Sequence, residues 1–133
     1  MSVKVAFMQL ASCWGCHQSL LNAHLGLLDV LPELEIVYWP AVVDFKLDSL
    51  QARENGEIDI GFIEGAVRTE MDLELLNLMR NKCKFISTLG TCACQGGVFG
   101  MANNYPIEDL NNRKFLEVES ITDEKPIIPE KYV

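Results

Sequence analysis

The sequence lacks any apolar run of the roughly 18 residues that a membrane-spanning helix needs. Residues 1–14 contain one lysine, and Gln9 and Ser12 interrupt their apolar stretch. This segment therefore lacks the basic region, the long apolar region and the cleavage site that are typical of a secretory signal. We accordingly expect no membrane span, and we expect the protein to be cytoplasmic.

Positive charge is also scarce. The chain has 11 Lys and Arg residues against 19 Asp and Glu residues, which gives a formal net charge of −8 at pH 7. Nucleic-acid binding usually requires a basic stripe, and the sequence shows none, so we expect no nucleic-acid partner. A length of 133 residues, 49% of them hydrophobic, is typical of one domain with a substantial core.

Cysteine, in contrast, is abundant for a chain of this size. There are 5 cysteines, an odd number that rules out complete internal pairing. Structural disulfides are disfavoured in the cytoplasm, so this count favours metal binding or redox chemistry. Cys83 opens an apolar segment, and we expect it to pack in the core.

Segments with strand and helix patterns alternate along the chain. Thr69 and Asp72 predict a capping box at the start of the third helix. The alternation predicts an α/β class, with a flavodoxin-like three-layer fold, a mostly parallel sheet and a strand order of about 2-1-3-4. The predicted strands cover 3–9, 34–39, 58–65 and 83–90, the predicted helices cover 17–31, 46–55, 69–82 and part of 106–115, and 91–104 is predicted to be a loop.

This fold places the site beyond the carboxyl ends of the strands, where the strand order reverses. Cys13 and Cys16 follow the first predicted strand, Glu64, Gly65 and Ala66 come at and after the end of the third, and residues 91–97 follow the fourth. Three segments that are distant in sequence are therefore expected to meet at one edge of the sheet.

The stretch Cys-Trp-Gly-Cys-His at 13–17 fits several chemistries. Covalent haem attachment usually occurs in exported proteins, and a redox dithiol would not require the further thiols Cys92 and Cys94. Structural zinc sites usually repeat a C-x-x-C element, whereas the second element here is C-x-C. An iron–sulfur cluster, which cysteine thiolates hold, uses more of the pattern, with Cys13, Cys16 and Cys92 as ligands.

Three stretches together carry a family resemblance: ASCWGCHQSLL, DIGFIEGAVRTE and STLGTCACQGGVFGMAN. Over about residues 3–105 the chain resembles the small subunit of nickel–iron hydrogenases, above all the cytoplasmic methanogen-type group that reduces methyl viologen or a deazaflavin. More distantly, it is similar to the cluster-bearing subunit of respiratory complex I.

The resemblance implies a proximal 4Fe-4S cluster held by Cys13, Cys16 and Cys92, with Glu64 beside it. It implies an electron-transfer role for this chain within a hydrogenase, with no catalytic residue of its own. The partners implied are a nickel–iron large subunit and a further electron-transfer subunit. A complex I-like oxidoreductase and a cluster-free thiol redox protein remain alternatives.

The chain departs from the family at the fourth cluster ligand. The family has a cysteine in a Gly-Cys-Pro motif well downstream, but no cysteine follows Cys94 here. We expect residues 1–115 to form the flavodoxin-like cluster domain and 116–133 to be an extended tail that begins a missing C-terminal segment. Alternatively, Cys94, Glu64 or a partner chain completes the site.

Overall fold

A computed structural model describes residues 2–120 of the chain. Its centre is a sheet of four parallel strands in the order β2-β1-β3-β4, which confirms the predicted α/β class and strand order. In this sheet Gln9 pairs with Glu64, and Glu64 pairs with Leu89, so that three strands end level with one another. The strands are β1 (Val3–Gln9), β2 (Leu34–Tyr38), β3 (Ile58–Glu64) and β4 (Cys83–Leu89).

Seven short or medium helices surround the sheet in the described part of the chain. They are α1 (Gly15–Leu21), α2 (Leu25–Val30), α3 (Leu47–Gln51), α4 (Glu70–Lys82), α5 (Gly90–Gln95), α6 (Gly97–Gly100) and α7 (Ile107–Asn111). Leu31–Glu33 and Met101–Asn104 form 3-10 turns, and Asn112–Leu116 forms a π-helical turn. None of the helices in residues 2–120 is both long and apolar enough to cross a membrane.

Alternate residues of each strand point to opposite sides of the sheet, and helices pack against both sides. Met8 of β1 packs with Leu50 of α3 and Met79 of α4 on one face. Phe7 of β1 and Leu20 of α1 belong to a smaller cluster on the other face. This arrangement produces the three predicted layers and explains why the strands read as nearly continuous apolar runs.

The start of α4 confirms the predicted capping box. The Thr69 hydroxyl accepts the backbone N–H of Asp72 at 3.3 Å, and the Asp72 carboxylate accepts the N–H of Thr69 at 2.9 Å. The same carboxylate accepts the N–H of Arg68 at 3.0 Å. Three backbone donors are thereby paired, which fixes where α4 begins.

The single helix predicted over 17–31 is wrong, because the structure has two short helices there. After α1 the hydrogen bonds shorten to the i−3 pattern, from Ala23 N–H to Leu20 and from His24 N–H to Leu21, both at 3.2 Å. His24 is exposed and has φ 49°. Leu25 and Leu28 are 75% and 59% exposed, so little core packing stabilises a continuous helix.

Two further expectations need correction. The predicted loop over 91–104 is mostly helical, because Gly96, with φ 83°, ends α5 and immediately begins α6. The predicted helix over 46–55 is limited to α3. In the predicted tail over 116–133, residues 121–133 lie outside the described residues, and the boundary at 115 stays a prediction.

Candidate metal centre

The level ends of β1, β3 and β4 bring the predicted site segments together. Cys13 lies in the turn after β1, Cys16 in the first turn of α1, and Cys92 in α5, directly after β4. Cys13 is exposed, whereas Cys16 and Cys92 are half-buried. Trp14, between the first two cysteines, has φ 69° and ψ 5°. This left-handed turn lets the chain reverse between the two thiols, at a cost of about 1 kcal/mol for a residue other than glycine.

A glycine lies against each of the three predicted ligand sulfurs. A Cβ on Gly15 would lie 3.2 Å from Cys13 Sγ, and a Cβ on Gly97 would lie 2.9 Å from Cys92 Sγ. At Gly90, which has φ 77°, a Cβ would lie only 2.3 Å from Cys16 Sγ. These glycines leave the space around the sulfurs open, and the Gly90 contact joins the first cysteine loop to the start of α5.

The pKa of the Cys16 thiol depends on the other candidate site residues, which lie near it. Burial raises the pKa of the Cys16 thiol, and the nearby negative charges of Glu64, Cys13, Cys92 and Cys94 raise this pKa further. A positively charged metal would reverse this effect, because it favours the thiolate form. Cys16 therefore lies within electrostatic reach of the other candidate site residues.

Within residues 2–120, no group of three or more His, Cys, Asp or Glu side chains is arranged to hold a single metal ion. The ligands of an iron–sulfur cluster surround several irons, so they need not converge as tightly as the ligands of one zinc ion. The partly exposed thiols of Cys13, Cys16 and Cys92 could bind the irons of such a cluster. The glycines beside the three sulfurs leave space for it.

Glu64 is buried at the centre of the site, with 1% of its surface exposed. Its Oε1 accepts the backbone N–H of Cys16 at 3.4 Å, and its Oε2 accepts the N–H of His17 at 3.2 Å. The Nε2 atom of His17 lies 3.5 Å from the same Oε2, without the geometry of a hydrogen bond. The carboxylate thus sits at the N-terminus of α1, where it interacts favourably with free N–H groups and the helix dipole.

His17, which follows Cys16 in α1, is only 2% exposed. Its ring stands edge-on to Phe7 and Trp39, at centroid distances of 6.0 and 6.1 Å. Burial lowers the pKa of His17, against the opposing effect of Glu64, so the ring is neutral at pH 7. No partner for its ring nitrogens is found among the described residues.

Three aromatic rings stack next to His17, and the sequence pattern did not predict this cluster. Trp39 stacks on Phe7 at 4.0 Å, and Phe7 stacks on Phe62 at 4.7 Å. Trp39 is 2% exposed. The available signal was its position directly after β2, at the same edge of the sheet as the cysteines.

The Glu-Gly-Ala stretch after β3 connects to the chain that precedes Cys13. Ala11 and Ala66 exchange backbone hydrogen bonds of 2.9 and 3.1 Å, and the Glu64 carbonyl accepts the N–H of Leu10 at 2.8 Å. Gly65 has φ 102°, and a Cβ there would lie 2.8 Å from the Ala11 carbonyl oxygen. Glycine is therefore required at this close approach.

The remaining cysteines have separate environments. Cys94 is exposed, and its sulfur lies 3.1 Å from Thr88 Oγ1 near the end of β4. Cys83 is 2% exposed and belongs to the core, as expected, and burial raises the pKa of its thiol to about 11. The roles of Cys13, Cys16, Cys92, Cys94 and Glu64 in cofactor binding stay predictions.

Comparison with known proteins gives consistent relatives. Residues 13–129 match the family model of the NADH ubiquinone oxidoreductase 20 kDa subunit. The chain is 37% identical, over 98% of its length, to the iron–sulfur subunit of an F420-non-reducing hydrogenase of Archaeoglobus profundus. It is 41% identical, over its whole length, to a vhu subunit of an F420-non-reducing hydrogenase of Methanocaldococcus jannaschii.

The chain spans 41% and 43% of the lengths of these two relatives. Among solved structures, it resembles a chain of an NAD+-reducing nickel–iron hydrogenase in the H2-reduced state, with a TM-score of 0.82 and 27% identity. That match covers 100% of this chain and 71% of the other.

Proposed function

The chain belongs to the family of the NADH ubiquinone oxidoreductase 20 kDa subunit and of hydrogenase small subunits, and from this premise we propose that it is the electron-transfer small subunit of a nickel–iron hydrogenase. It holds a proximal 4Fe-4S cluster. The observation that supports this best is the close approach of the Cys16 thiol to Gly90 at the start of α5. The same thiol lies within electrostatic reach of Cys13 and Cys92.

In this proposal the thiolates of Cys13, Cys16 and Cys92 hold the cluster. When bound, the cluster supplies one-electron transfer at a potential set by its surroundings. The glycine backbone lets the polypeptide approach the sulfurs closely, and the rings of Phe7 and Trp39 pack against His17 directly after Cys16.

The chemistry on hydrogen belongs, in this proposal, to a partner large subunit with a nickel–iron centre. A further subunit takes the electrons onward, and the complex acts in the cytoplasm. The similar proteins from Archaeoglobus and Methanocaldococcus are named as subunits of hydrogenases, which supports a multi-subunit assembly.

The test is anaerobic purification of the full chain together with its partners, followed by iron, sulfide and nickel analysis and electron paramagnetic resonance. Cys92→Ser should lose most of the iron and the spectrum of the reduced cluster. Cys83→Ala is the control, because Cys83 lies in the core and has no role in the cluster under this proposal. It should keep both the iron and the spectrum. Equal iron in both variants, or zinc in place of iron, contradicts the proposal.

A complex I-like role is the second candidate, since the matching family model is described by an NADH ubiquinone oxidoreductase subunit. Subunits of complex I tend to carry an adjacent pair of cysteines, whereas Trp14 and Gly15 separate Cys13 from Cys16 here. Co-purification with a nickel protein supports the hydrogenase role. Co-purification with a quinone-reducing membrane complex that contains no nickel would favour the second candidate.

A further inference from the structure

We propose that Glu64 is a positioning residue, whose buried carboxylate holds the N-terminus of α1 and thereby fixes the loop of Cys13 and Cys16 in the shape that receives a cluster. This inference rests on the proposed function. It gives Glu64 a role other than that of an iron ligand.

The first argument concerns the cap of α1. Helices begin with free N–H groups, which a side chain at the N-cap position commonly accepts. The N-cap residue of α1 is Trp14, whose side chain accepts no N–H of the helix. The nearby hydroxyl oxygen of Ser12 accepts the N–H of Trp14, which lies before the helix begins. The N–H groups of Cys16 and His17 are bound by Glu64, 48 and 47 positions away in sequence. The helix that carries Cys16 therefore receives its cap from the end of β3.

The second argument concerns the burial of the carboxylate. A charged group that is 1% exposed is strongly destabilising unless it is compensated. Each oxygen of Glu64 accepts one N–H of α1, and these donors provide the compensation. Removal of the carboxylate would leave one half-buried and one buried N–H without this acceptor, at a substantial free-energy cost.

The third argument is that the cysteine loop is held at both ends. Upstream of Cys13, the paired backbone of Ala11 and Ala66 fixes the loop to the segment after β3. Downstream, Glu64 fixes the N–H of Cys16 to the last residue of the same strand. The short span between these two anchors, residues 12–15, includes Cys13, so its conformational freedom is reduced before any metal arrives. Such preorganisation reduces the entropy lost on binding.

The charge of Glu64 gives a readout that a purely structural role would not change. A nearby negative charge disfavours adding an electron to a negatively charged cluster, because like charges repel. An uncharged glutamine at position 64 retains the size of the side chain and one acceptor oxygen. Glu64→Gln should therefore keep the cluster but raise its reduction potential.

The experiment compares Glu64→Ala, Glu64→Gln and the wild type in the full chain. Asp72→Ala is the matched control, since Asp72 is a second buried carboxylate within residues 2–120 that accepts two backbone N–H groups at a helix start. Among its contacts in the described residues there is no cysteine. The first measurement is amide hydrogen exchange by nuclear magnetic resonance on the metal-free, reduced protein, and the second is iron content and reduction potential after anaerobic reconstitution.

In Glu64→Ala, we expect the Cys16 and His17 amides to exchange about five to ten times faster, as the loss of a cap predicts. We also expect lower iron content than in Asp72→Ala at comparable thermal stability. Asp72→Ala should affect amides at the start of α4 alone. If Glu64→Ala does not fold, the same measurements are made on Glu64→Gln, because glutamine has the same size and shape as glutamate.

The outcomes separate the inference from the proposed function. If the wild type binds no cluster, the proposed function fails, while the exchange measurement still tests the cap. Unchanged exchange at Cys16 and His17 overturns the inference. Lost iron with unchanged exchange also overturns it, because that result identifies Glu64 as a ligand. A potential in Glu64→Gln equal to that of the wild type overturns the claim that its charge acts on the cluster.

Discussion

At the scale of single residues, Gly90 shows how the absence of one side chain shapes the site. Its φ of 77° favours glycine, and a Cβ would lie 2.3 Å from Cys16 Sγ. Two different effects therefore exclude other residues from this position: backbone strain and collision with a thiol. Gly56 separates the two effects, because it has φ 71° but no heavy atom within 4 Å of a built Cβ.

We expect Gly56→Ala to cost about 1 kcal/mol through backbone strain. Gly90→Ala should cost more and should also reduce the iron retained, because the new methyl group displaces Cys16 Sγ. Urea unfolding of both variants and iron analysis provide the test. If both variants lose equal stability and Gly90→Ala keeps its iron, the contact between Gly90 and Cys16 has no importance for the site.

Cys83 provides a second residue-level prediction. Its burial raises the pKa of its thiol to about 11, so it stays protonated at pH 8. In the folded, metal-free chain we expect iodoacetamide to modify the exposed Cys94 while leaving Cys83 unmodified, because the thiolate is the reactive form. Mass spectrometry of native and urea-unfolded samples measures both sites. Modification of Cys83 at a similar rate before unfolding would contradict its placement in the core.

The same thiol affects the dependence of stability on pH. Its pKa is raised from 9.0 to about 11, so the folded state binds the proton more tightly than the unfolded state. This contribution to stability is fully present below pH 9 and is lost as the pH rises towards 11. We expect Cys83→Val, which removes the titrating group, to show a smaller fall in melting temperature over this range than the wild type. Equal slopes would contradict this contribution.

At the scale of elements, the break between α1 and α2 creates strain at His24, with φ 49° and ψ −114°. This region of backbone conformation favours glycine. His24→Gly should therefore stabilise the fold by about 1 kcal/mol. Asn22→Gly is the control, since Asn22 has an ordinary helical φ of −71° and glycine there should be destabilising. Denaturant unfolding gives both values, and a loss of stability in His24→Gly would contradict the strained geometry.

The elements also show what the sequence could predict and what it could not. The strands were predicted closely because each has an apolar run with clear limits, and α4 because Thr69 and Asp72 mark its start. The helix over 17–31 was mispredicted because leucines at helical spacing do not reveal that Leu25 and Leu28 remain exposed. The glycines near Cys92 were interpreted as loop residues, although they separate short helices.

For the site, the residue types and the edge of the sheet were predictable from the order of the strands. The contacts of Glu64 with the N–H groups of α1 were not, because they join residues 47 and 48 positions apart through a side chain. The burial of His17 was equally hidden, since the rings around it come from β1 and from Trp39. Periodicity along one segment contains no information about such neighbours.

At the scale of the whole molecule, the two faces of the sheet are unequally covered. On the α1 side, an apolar groove of about 340 Å³ runs beside Leu20 and Phe62, and Phe85 of β4 is 70% exposed. Exposed apolar surface of this kind promotes association and dye binding. Met71, which is 65% exposed on α4, offers a comparison.

We expect the isolated chain to bind the dye anilinonaphthalene sulfonate. Phe85→Lys should reduce this binding, because Phe85 pairs in register with Ile60, which lines the groove, and the lysine introduces charge there. Met71→Lys should have little effect, since Met71 belongs to α4 and lies away from the residues that line the groove. Fluorescence titration at matched protein concentration gives the comparison. Equal reductions in the two variants would show that the dye does not distinguish the faces.

The register that sets Gln9, Glu64 and Leu89 side by side also has a consequence for biosynthesis. A nascent chain that has emerged only as far as Cys16 has neither the carboxylate that caps its first helix nor the glycine that borders its thiol. Both arrive with strands that are translated later. Capture of iron by Cys13, Cys16 and Cys92 together must therefore follow the translation of β4 and of the first turn of α5.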